Sequence, residues 1–168
     1  RYHKGVGDLE LLAQAYQRMQ RTLESVWAKR DEGLPLKTPY QALIMASLIE
    51  RETGADGERR KIAGVFTRRL TKGMRLQTDP AVIYGLGDDY NGDISKADLR
   101  RETPYNTYLI EGLPPTPIAM PGRAALEAAV NPAEGKALYF VAKGDGSHKF
   151  SETLDEHNAA VRRYILNR

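Results

Sequence analysis

The run Leu43, Ile44, Met45, Ala46, Leu48 and Ile49 is apolar on almost every side of a helix, and it ends on a carboxylate, Glu50. A helix of that kind belongs in a core. A carboxylate on it must be paired, hydrogen-bonded or partly protonated, because burying a bare charge is costly. Desolvation raises a carboxyl pKa, so a glutamic acid placed this way holds its proton near neutral pH and can give it to a leaving group. The structural reading of the same residue is an ion pair near the helix end, with Arg51 or with a base from the next helix. Local pattern leaves both readings open, since structural ion pairs occupy such positions too. Glu52 competes for the role, but two residues on it points to nearly the opposite side of the helix, so one pocket does not easily take both.

Around this carboxylate stand residues suited to gripping a polar ligand. Tyr84, Tyr90, Tyr105 and Tyr108 gather in the loop-rich middle of the chain with Gln77, Asn91 and Asn106. Tyrosine offers a flat apolar face with a polar tip, and an amide offers donors and an acceptor together. That mixture suits a sugar chain and equally suits loop packing. His148, at the mouth of an expected hairpin, is a candidate for polar contact, whereas His157 lies one turn from Leu154 and Val161 and reads as a packed histidine. Asp79 precedes Pro80 and reads as a helix cap. Arg59, Arg60, Lys61, Arg68, Arg69, Lys72 and Arg75 read as a solvated basic face. Rival chemistries find no footing: the chain has no HExxH, no His/Asp set at metal spacing, no GxSxG and no Walker loop. Gly85 and Gly87 begin a dinucleotide-like glycine pattern, but Tyr90 stands where its third glycine belongs.

The elements that must position these residues follow from periodicity and punctuation. Leu9, Leu12, Tyr16, Met19, Leu23 and Val26 recur at helical spacing, predicting an amphipathic helix from Asp8 that stops near Gly33. Thr38 and Pro39 cap and start a second helix to about Thr53, and a third runs from about Arg59 to Thr71. A short fourth runs from Asp79 through Tyr84. Residues 86–122, rich in Gly, Pro and Asn, predict ordered loop with one short strand at Thr107–Ile110. A helix over Ala124–Val130 comes next, then a hairpin of Leu138–Ala142 with His148–Ser151. The last helix is announced by the capping box Thr153/Glu156, with Leu154, Val161, Tyr164 and Ile165 on its apolar face. The fold class is α+β, several helices around a small antiparallel sheet with the candidate glutamate on a buried helix.

The 168 residues, 41% hydrophobic and 28% charged, suit a single domain. No stretch approaches the ~20 apolar residues that a membrane helix needs. Lys and Arg number 25 against 22 Asp and Glu, and a net +3 is too small to call nucleic acid a partner. The absence of cysteine excludes disulfides, Cys-ligated zinc and thiol nucleophiles.

Six segments in order, LIMASLIERET (43–53), MRLQTDPAVIYG (74–85), YNTYLIEGLPPTPIAMPG (105–122), Asn131–Pro132, LYFVAKGDGSHKFSETLDEHN (138–158) and a closing helix, make the chain resemble the catalytic domain of the MltG (YceG-like) endolytic murein transglycosylases. The resemblance covers most of the chain from Thr38 onward. It implies that the glutamate of the ASLIERET-like helix is the acid/base, carried over here onto Glu50. It implies too that nascent peptidoglycan strands are cut outside the bacterial cytoplasmic membrane, near the peptidoglycan synthases (penicillin-binding proteins). Such proteins carry an N-terminal membrane anchor in the inner membrane and a LysM-like subdomain before the catalytic part. Neither is present here, so the expectation for residues 1–168 is one catalytic domain taken from a longer chain, with 1–36 as its leading helix.

Most glycosidases need two carboxylates. A lytic transglycosylase needs one: Glu50 protonates the oxygen between N-acetylmuramic acid and N-acetylglucosamine, then takes the proton of the muramic C6 hydroxyl as that hydroxyl closes a 1,6-anhydro ring. The nucleophile belongs to the same sugar, and well-oriented intramolecular attack reaches effective molarities on the order of 10⁵ M or more. The reaction calls for no metal and no cofactor. Gln77, Tyr84, Tyr105, Asn106, Tyr108 and His148 are the candidates for holding the sugars. A muramidase hydrolysing the same bond and a non-catalytic glycan-binding module remain the alternatives.

Overall fold

A helix with apolar side chains on nearly every face has to be wrapped by other elements, and α2 (Pro39–Glu52) is wrapped on all sides. The structure, a computed structural model, describes Gly5, residues 7–55 and residues 57–166. The Thr38 hydroxyl accepts the Gln41 backbone N–H at 3.2 Å and Pro39 occupies the first turn, as the Thr-Pro pair predicts. Ala42, Met45, Ala46, Leu48 and Ile49 are fully buried. Each buried Leu, Ile or Met contributes about 1.5–3 kcal/mol relative to exposure.

Around α2 lie α1 (Asp8–Trp27), α3 (Arg59–Thr71), α4 (Asp79–Leu86) and α5 (Arg123–Val130). The closest partner is α5, whose Ala125, Ala128 and Ala129 let its backbone come near Ala42, Ala46 and Ser47. Helix α3 buries Ile62, Ala63, Val65 and Phe66 on one side. Its Gly64 is required by close approach: a Cβ there would lie 2.4 Å from the Ala133 carbonyl oxygen. A two-stranded antiparallel hairpin, β1 (Tyr139–Ala142) and β2 (His148–Ser151), pairs Phe140 with Phe150 and Ala142 with His148. It packs on α3 and on α6 (Leu154–Val161), which continues as a π turn to Leu166. The Thr153 hydroxyl caps α6 by accepting the Glu156 N–H at 3.2 Å, which is half of the expected capping box, while Glu156 reaches past the N-cap to the Glu152 N–H at 2.9 Å. The described residues thus form six α-helices around a small two-stranded sheet, the expected α+β class.

Four expectations change. Helix α1 stops at Trp27, well before Gly33, because Lys29 and Arg30 close tight turns onto Val26 and Trp27 and the Asp31 N–H bonds the Val130 carbonyl at 2.9 Å. Its leading half does not pack: Leu9, Leu12 and Tyr16 are exposed, and burial begins at Met19 and Leu23. Thr107–Ile110 is a turn rather than a strand, since the Leu109 and Ile110 N–H groups both return to the Asn106 carbonyl at 2.9 Å. On α6, Leu154 and Ile165 face out, and only Ala160 is fully buried. No helix among the described residues is long and apolar enough to cross a membrane.

Candidate active site

Where α2 runs out, the chain turns extended at Thr53, so the Glu52 side chain projects from the helix end into a cleft of about 660 Å³. The cleft is shared by Arg69, Gln77, Asp79, Tyr108 and His148, with Tyr139 and His157 along the hairpin and α6 wall. Glu52 remains part-exposed through the cleft mouth. Protein atoms nevertheless crowd its carboxyl, and burial pushes it up to about 7. The Thr78 hydroxyl, which donates to Oε1, opposes that rise, and the Asp79 charge adds to it.

Two loops are laced together to form this floor. The Gln77 N–H donates to the Thr107 carbonyl at 3.0 Å, the Thr78 N–H to Thr107 Oγ1 at 2.9 Å, and Thr107 Oγ1 to the Thr78 carbonyl at 3.1 Å. Gln77 is the one described non-glycine residue in the left-handed region, at φ 53°, a conformation held against its intrinsic cost by these bonds. Arg69 Nη1 donates to Gln77 Oε1 at 3.0 Å, which leaves the amide NH2 for a ligand. The same guanidinium donates to the carbonyls of Leu138 at 2.7 Å, Arg75 at 2.9 Å and Leu76 at 3.1 Å. The Tyr108 hydroxyl donates to Asp79 Oδ1 at 2.6 Å, and burial, then that bond, raise its pKa well above the usual phenol range.

The opposite wall is aromatic. Tyr139 carries the Arg69 guanidinium 5.0 Å from its ring centre and stacks on His157 at 5.2 Å. Burial, then Arg69, lowers the His157 pKa. His148 is anchored at the start of β2 by Glu58, which accepts its N–H at 3.0 Å and pairs with its ring Nδ1 at 2.7 Å. Burial alone would raise the Glu58 carboxyl, but these two bonds together hold it below the usual range.

Of the residues singled out from sequence, Gln77, Tyr108 and His148 meet in this cleft, and Glu50, Tyr84, Tyr105 and Asn106 do not line it. Glu50 is only half-buried, and it faces the N-terminus of α5, where Oε2 accepts the Gly122 N–H at 3.0 Å. The charge is well placed at a helix start. Tyr84 and Tyr105 meet edge to face at 4.8 Å, and the Tyr105 hydroxyl is engaged with Thr116 at 2.8 Å. Asn106 is 1% exposed, and its Nδ2 donates to the carbonyls of Asp98, Leu99 and Arg101 while Oδ1 accepts the Tyr108 N–H. Every group on that amide is spent on the loop, so Asn106 organises the site and does not grip a ligand.

His157 packs as expected, stacked on Tyr139 at 5.2 Å, and also lines the cleft. Two other readings change. Asp79 is no N-cap: Thr78 holds that position without a side-chain cap bond, and Asp79 spends its carboxylate on Tyr108. The third helix is not a plain solvated face, for Arg69 is 6% exposed and Arg68 donates to the Ala137 carbonyl at 2.8 Å and the Ala133 carbonyl at 3.1 Å. The signal for Arg69 was its spacing, two turns after Ile62 and one after Phe66, which puts it on the buried side of α3.

Comparison with known proteins follows this geometry. The model of the YceG-like family matches residues 1–163. The endolytic murein transglycosylase of Bacillus subtilis (strain 168) is 46% identical over 129 residues, 77% of this chain and 36% of that protein. That of Streptococcus pneumoniae (strain D39) is 34% identical over 134 residues, 76% of this chain and 24% of that protein. A crystal structure of a YceG-like protein from Listeria monocytogenes superposes with a TM-score of 0.80 at 36% identity, covering 95% of this chain and 52% of that one. The chain therefore spans about a quarter to a third of the curated relatives it matches.

Proposed function

The chain belongs to the YceG-like family, and from that premise we propose that it is the catalytic domain of an endolytic peptidoglycan lytic transglycosylase with Glu52 as its acid/base. The carrying observation is a carboxyl held near 7 by burial, on the floor of a cleft of about 660 Å³. The names of its relatives supply the substrate class, murein. The sequence resemblance had placed this role on Glu50. The geometry favours Glu52, because Glu50 faces α5 and serves its first turn.

In this reading Glu52 gives its proton to the glycosidic oxygen between N-acetylmuramic acid and N-acetylglucosamine as the C1–O bond breaks. The muramic C6 hydroxyl then bonds to C1 and returns its proton to Glu52, leaving a 1,6-anhydro end. General acid–base catalysis is most effective when the group's pKa lies near the working pH, which a carboxyl at about 7 satisfies. The Gln77 amide donates to an acetamido carbonyl, and Tyr108 and His148 hold the strand along the walls. The same reading puts the protein on the extracytoplasmic side of the inner membrane, beside peptidoglycan synthases.

Mass spectrometry of products from purified glycan strands tests this. Anhydro ends lighter by one water, lost in Glu52→Gln and retained in Glu50→Gln, are expected. Retained cleavage by a folded Glu52→Gln protein overturns the assignment. Reducing ends labelled from heavy-oxygen water would instead make the enzyme a muramidase, with Asp79 as the base for water.

A further inference from the structure

Glu52 is not the sole carboxylate in the cleft. Asp79 shares it, on the residue next to the one that donates to Glu52, so Thr78 and Asp79 bring a hydroxyl donor and a negative charge to the same acid. Position 79 is the first residue of α4, just after the N-cap Thr78, and Tyr108 fixes its carboxylate at 2.6 Å. The phenolic hydrogen is thereby committed to Asp79 and is not offered to Glu52. None of the basic groups described in the cleft is bonded to either carboxylate: Arg69 donates to three carbonyls and Gln77, His148 pairs with Glu58, and His157 stacks on Tyr139.

We infer that Asp79 is a positioning residue of the reaction, the like charge against which Glu52 keeps its proton until transfer and recovers it afterwards, with Tyr108 as the clamp that sets its place. The inference rests on the proposed role of Glu52. It uses one charge in both halves of the reaction. Before cleavage, ionising Glu52 beside Asp79 is unfavourable, so the proton stays until the leaving oxygen takes it. After cleavage, the Glu52 carboxylate stands beside a second negative charge and is a stronger base for the C6 hydroxyl proton. The proton leaves and returns to the same oxygen pair, and Asp79 exchanges none.

Asp79→Asn tests this, because the amide oxygen still accepts from Tyr108 while the charge is gone. The titration of the Glu52 carboxyl, followed by carbon-13 NMR, is expected to move down by on the order of one pH unit. The alkaline limb of the cleavage rate should move down with it, while KM changes little. A folded Asp79→Asn protein in which both stay where the parent has them overturns the inference, even if activity falls. Tyr108→Phe keeps the charge but frees its position, so the Glu52 titration should fall by less than in Asp79→Asn; a fall equal to that of Asp79→Asn overturns the inference. Glu52→Gln separates the two levels: cleavage by that variant removes the acid assignment, whereas the NMR titration still reports whether Asp79 acts on Glu52.

Discussion

Glu52→Gln should inactivate the protein and stabilise it, and the stabilisation should depend on pH. In the folded state the Glu52 carboxyl titrates near 7 against an ordinary value of 4.5. The folded protein thus binds this proton more tightly than the unfolded chain, so stability falls as pH rises from about 4.5 through about 7 and levels off above it. The difference between the two values corresponds to at most about 3 kcal/mol, at about 1.36 kcal/mol per pH unit. Because the carboxyl reaches water through the cleft mouth, the realised cost is nearer ~1–2 kcal/mol. Glutamine keeps the acceptor for Thr78 and has no charge to desolvate. At pH 8 the variant should melt about 2–8 °C above the parent, with ~2–4 °C per kcal/mol for a domain of this size, and at pH 4.5 the two should coincide. Thermal or urea denaturation at pH 4.5, 6 and 8 measures this. A variant that is less stable than the parent at pH 8, or more stable by the same amount at every pH, refutes the desolvation argument.

Three further outcomes are expected. Asn106→Ala removes three donated bonds and one accepted bond from a buried loop and should cost about 2–4 kcal/mol in urea denaturation. Gly64→Ala places a methyl 2.4 Å from the Ala133 carbonyl oxygen and should cost about 1–3 kcal/mol in the same measurement. Arg69→Lys cannot span the oxygens that the guanidinium reaches. Its glycan affinity, read by calorimetry, should fall about tenfold as Gln77 loses its fixed orientation.

The helices were legible where punctuation and periodicity agreed: Thr38-Pro39 starts α2 and the Thr153/Glu156 pair starts α6. Gln77, Tyr108 and His148, singled out by residue type, do line the cleft, since a polar tip on an apolar body or a paired amide announces itself by type. Which of Glu50 and Glu52 enters the cleft was not legible. On a helix apolar all round, periodicity does not say which side a late carboxylate faces; the docking of the hairpin and α6 decides it. Asn106 misled for a related reason, since an amide that clamps a loop is the same amide that grips a sugar. Thr107–Ile110 has strand-forming residues, yet the Asn106 carbonyl captures two N–H groups in sequence and bends the chain.

The four oxygens held by Arg69 come from separate places, the chain entering β1 and the segment 75–77 beneath the acid. Arg69 therefore joins the hairpin to the floor of the cleft, alongside the Phe66–Phe140 ring contact and the Arg68 bond to the Ala137 carbonyl. Loss of the Arg69 guanidinium would remove bonds on both sides of the cleft at once.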